Sequence, residues 1–531
     1  MPKTPQRKIK EKGLSREAEE RIDSGLIAAI DLGSNSFHLL LAAPGEGSFH
    51  VVETLKEKVQ LLAGSHNGEI QDAAFERARN CLRRFRQRLA AVSPERTFVR
   101  GTYALRQAVN ADKFVGELCD WFGPQVEVIS GDQEASLIYQ AVSRGLAFEA
   151  NKMIVDIGGG STELARGNGV DATVCASVNV GCVALSDKYF NADHRQTESF
   201  RLAKRDVVLA MTSLQGSHPE FWRERGVIVG TSGTIESVQT VLKANGWIWD
   251  AITKDGLARL ERAIEEEHWF VEGGLPGLSP DRVDIFAAGA AILCGVFEAL
   301  DIDEMAYGDV SLQHGIMFDA LDQRAPGERI AVDLAQNSID NLQAIFEIDL
   351  AQARRVRHQC ESLYAKTTGV QQGTDSWVSD EESRQILSWS AQLHEIGRRI
   401  NSAHYHRHGA YVVKHSHLPG LSKVTQETLS LLIRGHRRSL PRLAFQAFEP
   451  AVAARLTRLL SLLRIAVILE RSHSDLDSPV YQVVCDSGSI HLEFSFGWLA
   501  DHPLSTSELA VEATQLRAIG LKLTYCDAAS S

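Results

Sequence analysis

The chain has 531 residues, of which 44% are hydrophobic and 23% are charged, an ordinary composition for a globular protein. Its 56 Lys and Arg residues against 68 Asp and Glu residues give a formal net charge of −12, which argues against a general nucleic-acid or anionic-membrane binder. No uninterrupted apolar run approaches the roughly 18–20 residues of a membrane span, and the charged N-terminus is unlike a secretory signal. We therefore expect a cytoplasmic protein without integral membrane association and without nucleic acid as its partner.

The cysteines are scattered through the sequence, and none of them forms a CxxC pair. Their pattern predicts neither a zinc site nor a disulfide framework. Reduced thiols are expected, as is usual for cytoplasmic proteins. The eight positions are Cys81, Cys119, Cys175, Cys182, Cys294, Cys360, Cys485 and Cys526.

The first half of the chain reads as α/β structure. Residues 1–24 are predicted to be a charged flexible tail, and ordered structure is expected from Gly25 onward. Up to residue 322, short β-rich runs alternate with helical stretches, a pattern typical of α/β folds. We place one α/β domain at 25–137 and a second at 138–322.

The second half has a different pattern. From 323 to 478 the apolar residues recur with helical spacing and strand signals nearly vanish, which predicts an all-helical domain. From 479 to 531 strand-like runs return around a helix expected near 506–519. This predicts a small α+β module at the C-terminus.

An internal repeat is the most informative feature. The segments LIAAIDLGSNSFHLLLA (26–42) and KMIVDIGGGSTELARG (152–167) each read as strand, Asp, apolar residue, Gly, small polar residues and second strand. Asp31 therefore matches Asp156. A repeat at domain scale implies two copies of one α/β unit facing each other.

Such a Gly/Ser turn in a hairpin exposes backbone N–H groups that can cradle phosphate oxygens. Either turn alone could be purely structural, but its recurrence together with its aspartate favours a phosphate site. The aspartates would point into the cleft between the two copies. The residues predicted to contact the phosphates are Asp31, Ser34, Asn35, Ser36, Gly158, Gly159, Gly160, Ser161 and Thr162.

The duplicated arrangement resembles the actin, sugar-kinase and heat-shock ATPase superfamily. Within it, the motifs are most similar to the exopolyphosphatases and guanosine pentaphosphate phosphohydrolases. The stretches that carry the resemblance are AIDLGSNSFHLLLA (29–42), GTYALRQAVN (101–110), ISGDQEASLIYQAV (129–142), MIVDIGGGSTEL (153–164), VGTSGTIESVQ (229–239) and RVDIFAAGAAIL (282–293). The segment 393–420 also resembles the C-terminal domain of the long bacterial members.

The resemblance implies an overall architecture and a chemistry. The architecture is two actin-like (ribonuclease H-like) α/β domains, an all-helical HD-like domain and the small α+β module. The chemistry is phosphoanhydride hydrolysis with Mg²⁺, in a protein that forms a homodimer.

Glu134 is the predicted general base. It lies in SGDQEA, between a predicted strand and a helix, where a carboxylate can face a phosphate cleft and orient a water molecule. The resemblance implies that this position is catalytic. Without it, the simpler interpretation is a carboxylate that complements a helix dipole. Gln133 stands where the family usually has a second acid.

Asp156 and Glu163 flank the glycine turn and are predicted to lie side by side on its two strands. Hard oxygen ligands of this kind suit Mg²⁺, which also takes phosphate oxygens and water. A solvated charge at a strand edge is the alternative for Glu163. Asp31, across the cleft, could orient a water molecule.

Other predicted substrate contacts come from two further segments. A guanidinium at Arg106 can bind phosphate oxygens with two hydrogen bonds, and the resemblance implies that it contacts the substrate. The GTSGT loop could close the cleft or approach a nucleoside. Its candidate residues are Thr231, Ser232, Gly233 and Thr234.

The helical region contains LHE (393–395), which resembles an HD metal motif whose aspartate is replaced by Glu395. We expect a degenerate HD fold without phosphohydrolase chemistry of its own, although its many histidines leave metal binding open. Between 394 and 438 there are eight Lys and Arg residues against two acids. This surplus predicts a track for a polyanion, with Arg407, Lys414, Arg434, Arg437 and Arg438 as contacts.

The leading hypothesis is a processive exopolyphosphatase that uses Mg²⁺ to release terminal phosphate from inorganic polyphosphate. Hydrolysis of the 5′-phosphate of guanosine pentaphosphate is the closest rival, since it needs the same cleft. A low-turnover regulator that binds the guanosine alarmones is a third possibility, because Gln133, Gln313 and His314 depart from the family pattern. An actin-like ATPase or sugar kinase is the fourth.

Overall fold

The computed structural model describes residues 25–45, 49–146, 151–190, 196–223, 226–248, 251–265, 275–324, 334–368, 381–416, 418, 420–421, 423–438, 440, 450–473, 481–486 and 488–529. The tail predicted at 1–24 lies outside these residues. The chain divides into two compact units, the first ending at residue 332 and the second beginning at residue 333. The finer division into four domains remains a prediction.

The first sheet of the first unit contains five strands. The strands of this region, including a short two-stranded hairpin of β4 and β5, are β1 (Ile27–Leu32), β2 (Ser36–Pro44), β3 (Phe49–Lys58), β4 (Ser65–His66), β5 (Glu69–Ile70), β6 (Thr97–Gly101) and β7 (Val126–Val128). The sheet order is β3-β2-β1-β6-β7. β1 pairs antiparallel with β2 and parallel with β6.

The second sheet repeats this scheme with six strands. They are β8 (Lys152–Ile157), β9 (Thr162–Gly167), β10 (Val174–Val178), β11 (Val227–Thr231), β12 (Ile252–Thr253) and β13 (Glu304–Tyr307). The order is β10-β9-β8-β11-β13-β12, and β8 pairs antiparallel with β9 and parallel with β11. The equivalent placement of β1–β2 and β8–β9 confirms the repeat predicted from the sequence.

Helices cover the two sheets and bury their apolar faces. They are α1 (Asp72–Arg88), α2 (Tyr103–Gln107), α3 (Ala111–Phe122), α4 (Gly131–Gly145), α5 (Cys182–Tyr189), α6 (Gln196–Ser217), α7 (Ser232–Ala244), α8 (Lys254–Glu265), α9 (Val283–Leu300) and α10 (Leu312–Arg324), with 3₁₀ turns at Pro94–Arg96, Pro219–Trp222 and Pro280–Arg282. One core forms around Phe37 and Phe85, and a second around Phe200 and Ile292. Because β1 and β8 are central, their residues read as nearly continuous apolar runs.

One helical stretch among the described residues, Pro280–Leu300, is long and apolar enough to cross a membrane. However, 72% of its apolar window is buried inside the protein. Its core portion, α9, packs against α5, α6 and α7. Burial against these helices explains its composition, which is that of a core helix.

The second unit is mainly helical and carries a small sheet near its C-terminal end. Its elements are α11 (Leu334–Ile345), α12 (Leu350–Thr368), α13 (Glu381–Leu393), a 3₁₀ turn at Ile396–Arg399, α14 (Tyr405–His415), α15 (Lys423–Gly435), α16 (Pro450–Leu469), β14 (Tyr481–Asp486), β15 (Ser489–Phe494), α17 (Trp498–Asp501), α18 (Pro503–Arg517) and β16 (Lys522–Asp527). The three strands are ordered β14-β15-β16. The last long helix begins at Pro503, slightly earlier than predicted, because proline fits the first turn of a helix.

A buried ion pair ties the terminal module to the helices of this unit. Arg464 on α16 and Glu512 on α18 approach to 2.6 Å, and both side chains are buried. Arg464 also donates to the carbonyl oxygens of Gly435, at 2.6 Å, and Arg438, at 3.0 Å. One guanidinium thus fixes both the terminal helix and the segment that follows α15.

We expect Glu512→Ala to lower the free energy of unfolding of the second unit by about 3–5 kcal/mol, because it leaves a buried guanidinium without its counterion. Urea unfolding of the full chain, followed by circular dichroism, measures the change. The control is Glu508→Ala, which removes the more exposed ion pair with Arg471 and should cost about 1 kcal/mol or less. Equal losses in the two variants would contradict this prediction.

Candidate active site

The two glycine-containing turns of the first unit meet face to face. A Cβ atom built on Gly159 would lie 3.0 Å from Cβ of Ser34 and 3.5 Å from the backbone nitrogen of Asn35. This close approach favours glycine at position 159, because a Cβ atom there would force Ser34 to shift. The turns therefore form two sides of one cleft, as predicted from the repeat.

The glycine turn also accepts hydrogen bonds from the start of α5, which follows β9 and β10 in the chain. The carbonyl oxygens of Gly158 and Gly159 accept hydrogen bonds from the backbone N–H groups of Cys182, at 3.0 Å, and Val183, at 2.8 Å, at the start of α5. The N–H of Gly158 is used within the turn, since it donates to the carbonyl of Ser161 at 2.9 Å. The N–H of Gly158 is therefore occupied within the turn, while Gly158 itself still lines the cleft.

Asp156 and Glu163 are direct cross-strand partners on β8 and β9, which confirms that they lie side by side. Each carboxylate is held by a hydroxyl group. Thr231 donates to Oδ2 of Asp156 at 2.6 Å, and Ser177 donates to Oε1 of Glu163 at 2.8 Å. Glu163 is only 2% exposed, so it is not the solvated edge charge of the alternative interpretation.

Two carboxylate oxygens in this cluster are buried without a hydrogen-bond partner among the described residues, namely Oδ1 of Asp31 and Oε2 of Glu163. Burial and the charge of Asp156 raise the pKa of Asp31 to about 7. Burial raises the pKa of Asp156 to about 6, against the Thr231 hydrogen bond, which lowers it. The pKa of Glu163 is also raised, by burial and by Glu134 and Asp156.

Glu134 lies in the first turn of α4, where a capping box fixes the helix start. Ser130 accepts from the N–H of Gln133 at 3.2 Å, and the Gln133 side chain accepts from the N–H of Ser130 at 2.9 Å. Glutamine satisfies this position of a capping box as well as glutamate does. Although Gln133 replaces the acid usual in the family, it still caps the helix that carries Glu134.

The carboxylate of Glu134 is 3.3 Å from the guanidinium of Arg106, which also donates to the carbonyl of Ile129 at 2.7 Å. Burial raises the pKa of Glu134 to about 8, while Arg106 lowers it and Asp31 and Asp156 raise it further. A carboxylate with a pKa in this range is suited to accept a proton near neutral pH.

The cleft gathers most of the predicted contacts. Its described lining includes Asp31, Ser34, Asn35, Ser36, Glu134, Asp156, Gly158, Gly159, Gly160, Ser161, Ser232, Gly233 and Thr234. Ser232 has φ of 90°, a strained conformation for a residue with a side chain, and such strain is common at functional sites.

Three of the predicted contacts have partners within the protein. Thr162 is fully buried, and its hydroxyl group donates a hydrogen bond to the carbonyl oxygen of Val180 at 2.6 Å, a contact within the protein. The hydroxyl of Thr231 is directed to Asp156. Arg106 contacts Glu134 and is not part of the described lining. Sequence reasoning could not foresee these partners because they come from distant segments.

The lining also contains basic side chains that the sequence did not single out, namely His38, Lys56 and Arg282. His38 is the cross-strand partner of Asp31, and its ring nitrogen lies 3.1 Å from Oε1 of Gln313. Burial, followed by the charge of Lys56, lowers the pKa of His38 to about 4, so this ring is neutral near pH 7. The only signal in the sequence was the position of His38 in the repeated hairpin.

The acidic side of the cleft offers oxygen donors for a cation. Within the described part of the chain, no group of three or more His, Cys, Asp or Glu residues is arranged to hold a metal ion by itself. The unpartnered oxygens of Asp31 and Glu163 are nevertheless hard donors next to Asp156. This set fits Mg²⁺, which completes its shell with water and phosphate oxygens.

In the second unit, His394, His406 and His436 form a buried cluster, with ring centroids of His394 and His436 5.5 Å apart. Glu395, at the position of the HD aspartate, instead pairs with Arg398 at 2.7 Å.

The predicted polyanion contacts of this unit fall into two places. Arg407, Lys414 and Arg434 line one groove, whereas the guanidinium of Arg437 lies 4.5 Å from the ring centre of Tyr405 and Arg438 lies beside His404. The five contacts therefore lie in two places, and their role as a track for a polyanion stays a prediction.

Comparison with known proteins identifies the family. The model of the Ppx/GppA phosphatase family matches residues 40–324, and the model of domain III of the Ppx/GppA phosphatases matches residues 334–513. The chain belongs to the Ppx/GppA phosphatase family. It is accordingly a phosphoanhydride hydrolase with an actin-like fold, as the resemblance implied.

Curated relatives match nearly the whole chain. The guanosine-5′-triphosphate,3′-diphosphate pyrophosphatase of Vibrio atlanticus is 30% identical over 505 residues, which cover 95% of this chain and 99% of the relative. That of Photobacterium profundum is 32% identical over 501 residues, 94% of this chain and 98% of the relative. A crystal structure of an exopolyphosphatase from Cytophaga hutchinsonii is 23% identical, with a TM-score of 0.48, over 56% of this chain and 98% of its own.

The carboxylate cluster should make the stability of the metal-free protein depend on pH. Because the folded-state pKa of Asp31 lies near 7, well above its ordinary value of 3.8, the folded protein loses stability as pH rises between these values. We expect Asp31→Asn to match the original protein at pH 4 and to exceed it at pH 8. Since one pKa unit corresponds to about 1.4 kcal/mol, the gain is at most about 4 kcal/mol.

Thermal unfolding in EDTA at pH 4, 6 and 8 measures this dependence. Asp120→Asn, at an exposed position on α3, is the control and should show no such trend. A gain for Asp31→Asn that is independent of pH would show that ionisation of the buried carboxylate is not its cause.

Proposed function

We propose that this protein hydrolyses the terminal 5′-phosphate of guanosine 5′-triphosphate 3′-diphosphate and releases the tetraphosphate. The observation that carries the proposal is a single cleft lined by facing glycine turns, by the carboxylates of Asp31, Glu134 and Asp156, and by the cationic Lys56 and Arg282. A substrate with phosphates at both its 5′ and 3′ positions needs cationic contacts in addition to those at the reacting phosphate. The names of the two curated relatives agree with this choice.

In the proposed reaction, Glu134 accepts a proton from a water molecule whose oxygen attacks the terminal phosphorus. The bond from this phosphorus to the bridging oxygen breaks, and the bridging oxygen stays with the remaining nucleotide. Burial of Glu134 gives it the raised pKa that a base requires. Arg106, 3.3 Å from the same carboxylate, keeps it oriented and favours its ionised form. Most of the remaining task is positioning and charge neutralisation.

Asp156 and Glu163 are the residues that would hold Mg²⁺ in this reaction. Their hydroxyl donors, Thr231 and Ser177, fix both carboxylates in place. When bound, the ion would neutralise negative charge on the phosphate oxygens.

Inorganic polyphosphate is the second candidate substrate. It was the leading hypothesis from the sequence, and the same cleft chemistry would release its terminal phosphate. Basic side chains of the second unit favour it, because Arg407, Lys414 and Arg434 share one groove.

Initial rates of phosphate release should decide between the two substrates. We expect guanosine pentaphosphate to give the higher kcat/KM when it is compared with long-chain polyphosphate at matched terminal-phosphate concentrations and in the presence of Mg²⁺. EDTA should abolish the activity on both. A clear preference for polyphosphate would overturn the choice of substrate and leave the hydrolytic mechanism intact.

Replacement of the proposed base provides a direct test of the mechanism. We expect Glu134→Gln to lower kcat about 10²- to 10⁴-fold. The matched control is Asp132→Asn, because Asp132 is an acid in the same first turn of α4. If Glu134 only complemented the helix dipole, the two variants would behave alike.

The pH profile tests the role of Arg106. Since Arg106 lowers the pKa of Glu134, Arg106→Ala should move the acidic limb of kcat/KM to higher pH, whereas Arg106→Lys should retain most of its position. Arg259→Ala, which removes an exposed pair with Asp255, is the control. A uniform loss of activity without a shift of the limb would assign Arg106 to phosphate binding alone.

A further inference from the structure

The second unit has a groove between α14 and α15 that lies outside the residues assigned to proton transfer and Mg²⁺ binding in the proposed reaction. Its volume is about 480 Å³, and its lining includes Arg407, Tyr411, Lys414, His415 and Arg434. All of its lining residues belong to the second unit, and none of them is among the residues of the first unit that line the catalytic cleft.

The groove is lined by two arginines, Arg407 from α14 and Arg434 from α15. Burial and the charge of Arg407 lower the pKa of Arg434, so these like charges repel each other. Within the described part of the chain, neither arginine forms an ion pair with a carboxylate. The one acid in the lining, Glu427, lies 3.7 Å from Lys414. An anion bound between the two arginines would relieve this repulsion.

Hydrogen bonds join the two helices that form the walls of the groove. Ser430 on α15 donates to the carbonyl of Ala410 on α14 at 2.8 Å, and Gln426 donates to the carbonyls of Val413, at 2.6 Å, and Ser416, at 2.7 Å. The arginines therefore project from a preformed scaffold, which reduces the entropic cost of binding.

An exposed aromatic ring lies beside these charges. Tyr411 is 66% exposed, an unusual exposure for a large aromatic side chain, and its ring lies 4.4 Å from the ring of His415. Exposed aromatic rings next to basic side chains are the elements with which proteins bind nucleobases and phosphates together. Inorganic phosphate chains have no group that stacks on such a ring.

We infer that the groove between α14 and α15 binds a nucleoside phosphate, with its base on Tyr411 and its phosphates between Arg407 and Arg434. This site is additional to the catalytic cleft and does not depend on the identity of the substrate hydrolysed there. An inorganic polyphosphate shares the phosphate chemistry but not the base, so the experiment must separate the two.

Calorimetric titration of the full chain in EDTA, with GDP and with inorganic tripolyphosphate as probes, tests the inference. We expect Arg407→Ala combined with Arg434→Ala to remove one binding event for both probes. Tyr411→Ala should weaken the affinity of that site for GDP about tenfold and leave its affinity for tripolyphosphate unchanged. Tyr411→Phe should retain the affinity for GDP. The control is Arg357→Ala with Arg384→Ala, because both of these arginines are exposed and pair with acids on their own helices.

Two results would overturn the inference. If the number of sites were unchanged in the double arginine variant, the groove would bind no phosphate. If Tyr411→Ala left the affinity for GDP unchanged while the double variant lost both probes, the groove would be a site for inorganic phosphate chains. Because binding is measured directly, these outcomes are independent of whether the cleft hydrolyses guanosine pentaphosphate.

Discussion

The catalytic cleft of the first unit depends on several carboxylates that are buried where the two glycine-containing turns meet. Burial raises the pKa of Asp31, Glu134, Asp156 and Glu163, and neighbouring carboxylates raise the pKa of Asp31, Glu134 and Glu163 further. Two oxygens of this cluster have no partner among the described residues. Such an arrangement disfavours the folded state once these groups ionise. The two large apolar cores formed by the surrounding sheets and helices offset this cost and keep the carboxylates buried.

Backbone proximity makes this cluster possible. Gly159 meets Ser34 across the cleft, and a Cβ built on Gly160 would lie only 2.1 Å from the ring of Tyr103. The same glycine turn provides the carbonyl groups that order the start of α5. The turns thus serve the fold and the site together. Hydroxyl groups from neighbouring strands, on Thr231 and Ser177, then fix the direction of the acids.

The charge of the protein is distributed unevenly between its two units. The net charge of −12 argues against a protein that binds polyanions over its whole surface. Basic side chains nevertheless line two sites: Lys56 and Arg282 line the catalytic cleft, and Arg407 and Arg434 line a groove in the second unit. Local fields near these side chains matter more for a small phosphate ligand than the sum over the whole chain, because screening limits interactions to about 8–10 Å.

The sequence by itself determined the repeated hairpins, the α/β and helical halves, and the positions of Glu134, Asp156 and Glu163, because these features follow from local periodicity, glycine turns and recurring motifs. Only the tertiary structure decided the partners of individual side chains. In the folded protein, the hydroxyl of Thr162 donates to Val180 and that of Thr231 donates to Asp156. Arg106 contacts Glu134, and His38 lines the cleft. These contacts join residues up to 275 positions apart, and no local pattern encodes which distant groups will meet.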